Sequence, residues 1–476
     1  MQIANEAPPR GAVAQLGSYA TSRPHASVTV LTLLAAGLGL VRLQYRAVNF
    51  DESITMEYAR GSWTSLWHTV TGEDPNMSLY YLLAKVWTGV FGDSVFAFRS
   101  LSVIAASLCV PVVYAIGVRL FGVSAGLFAG LLVATNVFFL RYAQEARGYA
   151  LVTLLTALST YFFLELLDAG RPSRWGRVGY VASSVLAFYT HFFAALVVFV
   201  HVLALVAMRR RAALAGSWLA CYGAMAVLAA PIAYWALTLG GDPIGWLAKP
   251  APGALPATFA QLAGDGFLQL GVVIVVAIAA SRVAMRSPRL AFGLAFTASW
   301  AGIPVLVAFG VSQLKPIFLA KYLIVCLPAV ALLAAGAITS LRPVGAAVTA
   351  ACVLLFLWGS ELPGWYDFRG QEDWRSLTSF VAERIRPTDG MVFNAAYARS
   401  SVACPAKLSR GPCVDGPPAN AIRADAITRP RVWLVLAHSQ TTTDSLRSAL
   451  VLRHRLQSRD SFAGDIAVEL YVSRHP

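Results

Sequence analysis

Apolar residues in this chain fall in unbroken runs rather than in the spaced stripes of a water-soluble fold. The runs lie at 28–41, 97–117, 122–140, 149–167, 178–190, 192–207, 217–238, 258–280, 290–311, 322–339 and 344–359. Most approach the roughly 20 residues that cross a hydrocarbon core about 30 Å thick. They predict a polytopic α-helical membrane protein with about 11 transmembrane helices, each satisfying its own backbone polar groups. The first run, Val28 to Val41, is read as a retained helix, because Arg42 to Asn49 offers no small-residue cleavage pattern. Leu79 to Phe91 is also apolar but is short and holds Lys85, so it is expected to lie along the interface rather than to span.

Leaving that stretch out sets the sidedness. Arg119, Arg171, Arg174, Arg177, Arg209, Arg210, Arg211, Arg282, Arg286, Arg289 and Arg342 then all fall on one side, and the positive-inside rule makes it the cytoplasm. The expected order is a cytoplasmic tail (1–27), a transmembrane module (28–360) with a first outer loop at 48–96, and an extracytoplasmic soluble α/β domain (361–476). Within that last domain, periodicity and β-branched content predict a helix at 373–385, strands at 391–395 and 432–437, a helix at 443–452 and a strand at 466–472. Cys109, Cys221, Cys326 and Cys352 fall in predicted helices. Cys404 and Cys413 share an outer loop rich in Pro and Gly, where an oxidising compartment would let them pair as a disulfide.

Composition narrows the class. Only 13% of the 476 residues are charged, against about 25% in soluble domains. The net charge of +14 is dispersed over short connectors, which argues against nucleic acid as a partner.

Candidate chemistry gathers in the outer connectors. Asp51 and Glu52 follow the first helix; adjacent carboxylates at a helix exit are as readily a solvated pair as a catalytic one. The second outer loop, Arg141 to Tyr149, holds Arg141, Glu145 and Arg147 between lipid-length helices, where charge is expensive unless paired or functional. Lys315 and Lys321 occupy a third outer connector. Interfacial lysines commonly anchor helices, but beside carboxylates they would suit a phosphate leaving group. His191, in the turn of a hairpin over 178–208, is a further candidate for the same pocket, although a lone interfacial histidine is more often structural. A carboxylate able to take an acceptor proton, together with cations to offset a departing phosphate, fits glycosyl transfer.

At these residues the chain resembles the GT-C superfamily of polyprenyl-phosphate-sugar glycosyltransferases, in the branch of protein O-mannosyltransferases and lipid A aminoarabinose transferases. The matching pieces are Phe50-Asp51-Glu52, Leu79-Tyr80-Tyr81, Phe91-Gly92-Asp93 leading to Arg99, Gln144-Glu145-Ala146-Arg147-Gly148-Tyr149, and Lys321-Tyr322. Asn76-Met77-Ser78 stands where that family commonly has His-Pro-Pro. The resemblance implies Asp51 as catalytic base with Glu52 beside it, Glu145 as a substrate or metal contact, and Lys321 as a phosphate contact. Tyr80, Tyr81, Arg141, Gln144, Arg147, Tyr149, His191, Lys315 and Tyr322 would complete the substrate site. It further implies a polyprenyl-phosphate-sugar donor, with mannose or another pyranose or pentose as the sugar. The acceptor would be an extracytoplasmic glycan, lipid or protein, the location the plasma membrane, and no nucleotide cofactor is expected; a divalent metal is left open.

Two other classes fit parts of the pattern. A lipid or solute transporter would place its charges near the bilayer midplane and show related halves, whereas here they gather at one boundary. A non-catalytic membrane assembly protein is the third reading, kept by the replaced His-Pro-Pro.

Overall fold

A computed structural model describes residues 23–168, 173–208, 216–238, 247–368, 373–394, 398, 413–414, 429–437 and 442–474. By internal contacts the chain divides into two compact units. One comprises Met1–Val41, Thr64–Leu83 and Arg99–Trp365; the other comprises Arg42–Trp63, Ala84–Phe98 and Tyr366–Pro476.

All eleven apolar runs are helical. In chain order the helices are α1 (Pro24–Leu40), α2 (Phe50–Arg60), α3 (Trp63–His68), α4 (Ser78–Phe91), α5 (Val95–Phe121), α6 (Val123–Thr135), α7 (Val137–Ala143), α8 (Tyr149–Asp168), α9 (Arg174–Thr190) and α10 (Ala194–Ala207). They continue as α11 (Gly216–Thr238), α12 (Ala254–Leu262), α13 (Phe267–Ala284), α14 (Pro288–Ser312), α15 (Leu327–Ser340) and α16 (Val344–Asp367). By length and composition, seven of the described helices can cross a membrane, or eight if α6 and α7, bent by 60° at Asn136, form one span. The expectation of about eleven exceeds this because the helices in three of the runs are short. Helices α1 and α10 are apolar but have 17 and 14 residues, and α9 is interrupted by polar side chains.

In the first unit, α15 and the 3-10 turn before it (Ala320–Cys326) form a buried centre, with α6, α13 and α14 packed around α15. The run expected at 258–280 is broken between α12 and α13. Gly264 and Asp265 both have positive φ there, 121° and 77°. A side chain at Gly264 would collide with the Trp358 ring, so glycine is required by space as well as by conformation.

In the second unit, the segment expected as a loop at 48–96 begins as helix. The Asn49 side chain accepts from the Glu52 backbone N–H, and the Glu52 carboxylate accepts from the Asn49 N–H; this capping box starts α2. The C-terminal part contains β1 (Gly390–Phe393), β2 (Cys413–Val414), β3 (Arg431–Ala437), β4 (His454–Phe462) and β5 (Ile466–Ser473), with helices α17 (Trp374–Arg384) and α18 (Thr442–Val451). Sheet order is β2-β1-β3-β5-β4, parallel among the first three strands and antiparallel across β3-β5-β4. Alternate residues of each strand point to opposite faces. Met391, Phe393, Trp433 and Val435 pack with Trp374, Leu377 and Val381 of α17. Val392, Val432 and Leu434 pack with Leu446 and Leu450 of α18. Helices therefore cover both faces, the α/β arrangement expected. The expected helices and strands lie within a few residues of those found; β2 and β4 are additions. The Cys404–Cys413 pairing lies outside the described residues.

Candidate active site

The loop between α7 and α8 is set by the bend between the two helices before it. At the α6–α7 bend the Asn136 side chain accepts from the Phe139 N–H and donates to the Leu262 carbonyl, both buried. Helix α7 then ends at Ala143, and residues 144–148 turn back into α8. Gln144 faces the end of α1: its amide nitrogen donates to the carbonyls of Gly39 at 2.9 Å and Val41 at 2.8 Å, groups that a helix C-terminus leaves without internal partners. Its oxygen accepts from Trp365 Nε1 at 3.0 Å. Arg141 pairs with Asp265 at 2.7 Å and lies over the Trp365 ring. Asp265 lies at the break between α12 and α13 with positive φ.

Further along the same loop, Arg147 is buried and donates from Nη1 to the Tyr81 hydroxyl at 3.0 Å. That hydroxyl donates in turn to Asp74 at 2.8 Å. Tyr80 shares a 2.7 Å hydrogen bond with Ser102, whose hydroxyl reaches the Arg147 carbonyl. Consecutive tyrosines thus hold the loop by side chain and by backbone. Glu145 is buried, and its carbonyl accepts from the Arg147 N–H in the turn.

Beside Arg147 stands an aromatic group drawn from three elements. Tyr149 at the start of α8, His191 in the α9–α10 turn and Tyr322 in the 3-10 turn surround one another, with His191 and Tyr322 ring centres 4.9 Å apart and Tyr149 and His191 6.1 Å apart. The Lys321 ammonium lies 5.8 Å from the Tyr149 ring centre. His191 Nδ1 accepts from the Phe193 N–H at 3.3 Å, which leaves the ring proton on Nε2. Nε2 is buried and has no hydrogen-bond partner among the described residues. Burial, with the positive charges of Arg147 and Lys321, pushes the His191 pKa down to about 3, so the ring is neutral at physiological pH. Asn76 accepts from the Phe192 N–H next to it at 3.4 Å, which ties the replaced His-Pro-Pro segment to this turn.

Of the candidates in the first unit, Tyr81, Arg147, Tyr149, His191, Lys321 and Tyr322 are brought together. Arg141 and Gln144 form a second group around Trp365, and Lys315 is exposed beyond the end of α14. Asp51 and Glu52 belong to the second unit, in the first turn of α2; Glu52 is buried with its carboxylate in the capping box, and Asp51 is half-buried. Asp74, Asn76, Asp265 and Trp365 were not among the site residues expected from the sequence, Asn76 having been noted only as part of the segment that replaces His-Pro-Pro. The first two could have been, since both are polar residues in the turn that leads into Leu79-Tyr80-Tyr81. Among the described residues no three or more His, Cys, Asp and Glu side chains are grouped to hold a metal ion.

Cations and a neutral imidazole thus gather in loops between helices of the first unit. Residues 75–235 match the family described as dolichyl-phosphate-mannose-protein mannosyltransferase. No curated protein matches the chain in sequence. ArnT from Cupriavidus metallidurans in the apo state is similar in structure over 94% of this chain and 98% of its own, with TM-score 0.65 and 15% identity. Archaeal oligosaccharyltransferase AglB from Archaeoglobus fulgidus matches over 95% and 75%, with TM-score 0.56 and 10% identity. Arabinofuranosyltransferase AftD from Mycobacteria matches over 94% of this chain and 40% of its own, with TM-score 0.54 and 14% identity. The chain therefore has the fold of ArnT, AglB and AftD, and its match to the mannosyltransferase family covers residues 75–235.

Proposed function

We propose that the protein transfers a sugar, mannose or another pyranose or pentose, from a polyprenyl-phosphate donor to an extracytoplasmic acceptor. The observation that carries this reading is the group of Arg147, Lys321 and neutral His191. Two cations flank a buried N–H whose hydrogen-bond capacity is unused among the described residues, an arrangement suited to an anionic oxygen. ArnT of the same fold has been solved bound to undecaprenyl phosphate, and AglB in complex with a dolichol-phosphate. A phosphate in this place would receive charge as the glycosidic C–O bond breaks, and the fixed cations would stabilise it without reorganising.

Asp51 is proposed as the base that takes the acceptor proton, on the strength of its match to the family's first-loop carboxylate. Glu52 has a separate task in the capping box, which makes Asp51 the better candidate of the two. The arginine pattern in the connectors supports an extracytoplasmic site, a plasma-membrane location and an external C-terminal domain. To test the reading, purified protein in lipid is incubated with radiolabelled polyprenyl-phosphate sugars and a panel of acceptors. Release of one sugar from its lipid and its recovery on an acceptor is the expected result; no release from any donor would overturn it.

A further inference from the structure

Helix α8 begins at Tyr149, in the candidate site, and ends at Asp168. Its 20 residues rise about 30 Å, the thickness of the hydrocarbon core, so its two ends reach opposite boundaries. At the Asp168 end the ends of α5 and α10 and the start of α14 meet it around a cavity of about 450 Å³. That volume falls in the range of ligand pockets, about 300–1,000 Å³.

The cavity is divided by chemistry. The charged part of its lining is Arg119, Arg289 and Asp168, the last two exposed and Arg119 half-buried. Arg119 pairs with Asp168 at 3.2 Å and lies over the Tyr161 ring at 4.9 Å. Arg289 donates from Nη2 to the Arg119 carbonyl at 2.6 Å, in the last turn of α5, where backbone carbonyls lack internal partners. These contacts fix both guanidinium groups at one place. With one carboxylate, paired to Arg119, against two guanidinium groups, these three side chains carry net positive charge. The apolar walls are Leu120, Leu164, Leu167, Met208 and Phe292, with nothing polar among their side chains.

We propose that this cavity binds one anionic diacyl phospholipid, its phosphate on Arg119 and Arg289 and the upper part of its acyl chains along the leucine and phenylalanine walls. A cationic rim over apolar walls at a membrane boundary fits an amphiphile with a charged head; a soluble phosphate would leave the walls in water. Two arginines near a surface favour an anionic over a neutral headgroup by roughly fivefold each. The site stands apart from glycosyl transfer and does not depend on that reading.

The test is native mass spectrometry of the full chain with dioleoyl phosphatidylglycerol or dioleoyl phosphatidylcholine. Retention of one phosphatidylglycerol, preferred over phosphatidylcholine by roughly five- to twentyfold, is expected. The double substitution Arg119→Gln with Arg289→Gln should abolish the preference, and Arg174→Gln, an exposed arginine outside the cavity, should not change it. Asp168→Asn, at a largely exposed side chain, should strengthen the preference and serves if the double variant does not fold. Equal retention of both lipids overturns the proposal. So does a preference untouched by Asp168→Asn and by the double variant, and so does saturable binding of glycerol 3-phosphate alone.

Discussion

Arg147 donates to the Tyr81 hydroxyl at 3.0 Å, joining two buried residues 66 positions apart, the loop between α7 and α8 to the first turn of α4. Tyr81→Phe removes that oxygen and leaves Arg147 and Asp74 each short of one partner. Loss of a buried hydrogen bond to charged groups costs about 1–3 kcal/mol. Thermal melting of the variant should fall accordingly, and the KM for the lipid donor should rise more than kcat falls, because Arg147 is assigned to binding.

Asp51 and Glu52 are predicted to separate cleanly. Asp51→Asn should lower transfer at least about 10²-fold, the lower end of general-base catalysis, with melting unchanged. Glu52→Gln keeps an acceptor for the capping box and should change little, while Glu52→Ala should lose about 1 kcal/mol of stability. Wild-type turnover by the Asp51→Asn protein would remove the proposed base.

His191 gives a pH signature. Its folded pKa is pushed down to about 3 from an ordinary 6.5, so between those values the unfolded chain binds the proton and the folded chain does not. Stability is therefore full above pH 6.5 and declines as pH falls toward 3, by up to about 1.4 kcal/mol per pH unit for this one group. His191→Gln should flatten that part of the stability curve relative to wild type in pH-dependent unfolding. The same shift predicts that wild-type activity shows no inflection from this ring between pH 5 and 8.

Gln144 is expected to matter for folding rather than chemistry. Its amide bonds the carbonyls at the end of α1 and its oxygen the Trp365 indole. Gln144→Leu removes these three bonds and should destabilise by about 1–3 kcal/mol, read as a lower melting temperature with residual turnover per folded molecule preserved.

Sidedness is checked by reporters. Fusions after Arg210 and after Ser439 should report opposite sides of the membrane. A common side for both would break the odd count of crossings on which the external C-terminal domain rests.

The fold was legible wherever burial wrote itself into the residues as a long apolar run or as strict alternation. The runs that became α5, α8, α14, α15 and α16, and strands β3 and β5, are of this kind. Strand β4 was not, because it lies at the edge of the sheet and its sequence, His454 to Phe462, is largely polar and exposed. The α12–α13 break was hidden for a different reason: Gly264, Asp265 and Gly266 interrupt an apolar run too briefly to alter its mean hydropathy. In the site, charged residues in short loops were conspicuous, so Arg147, Glu145 and Lys321 could be picked out. What each one touches could not be read. Gln144 looks like a substrate contact in the motif, and only the fold brings the end of α1 against it. Asp265 and Trp365 come from positions more than a hundred residues away, and no local pattern marks them.

The exposed edge of the sheet has a consequence for many copies in one bilayer. Membrane anchoring confines neighbouring α/β domains to a plane, where an unpaired strand could zip onto its counterpart. Strand β4 counters this with Arg455, Arg459 and Asp460 along its length and with a register irregularity between Leu456 and Ser458. Like charges would meet in a parallel pairing of two such edges, and the irregularity denies them a continuous ladder. The edge thereby works as a gatekeeper against lateral aggregation, keeping crowded neighbours separate.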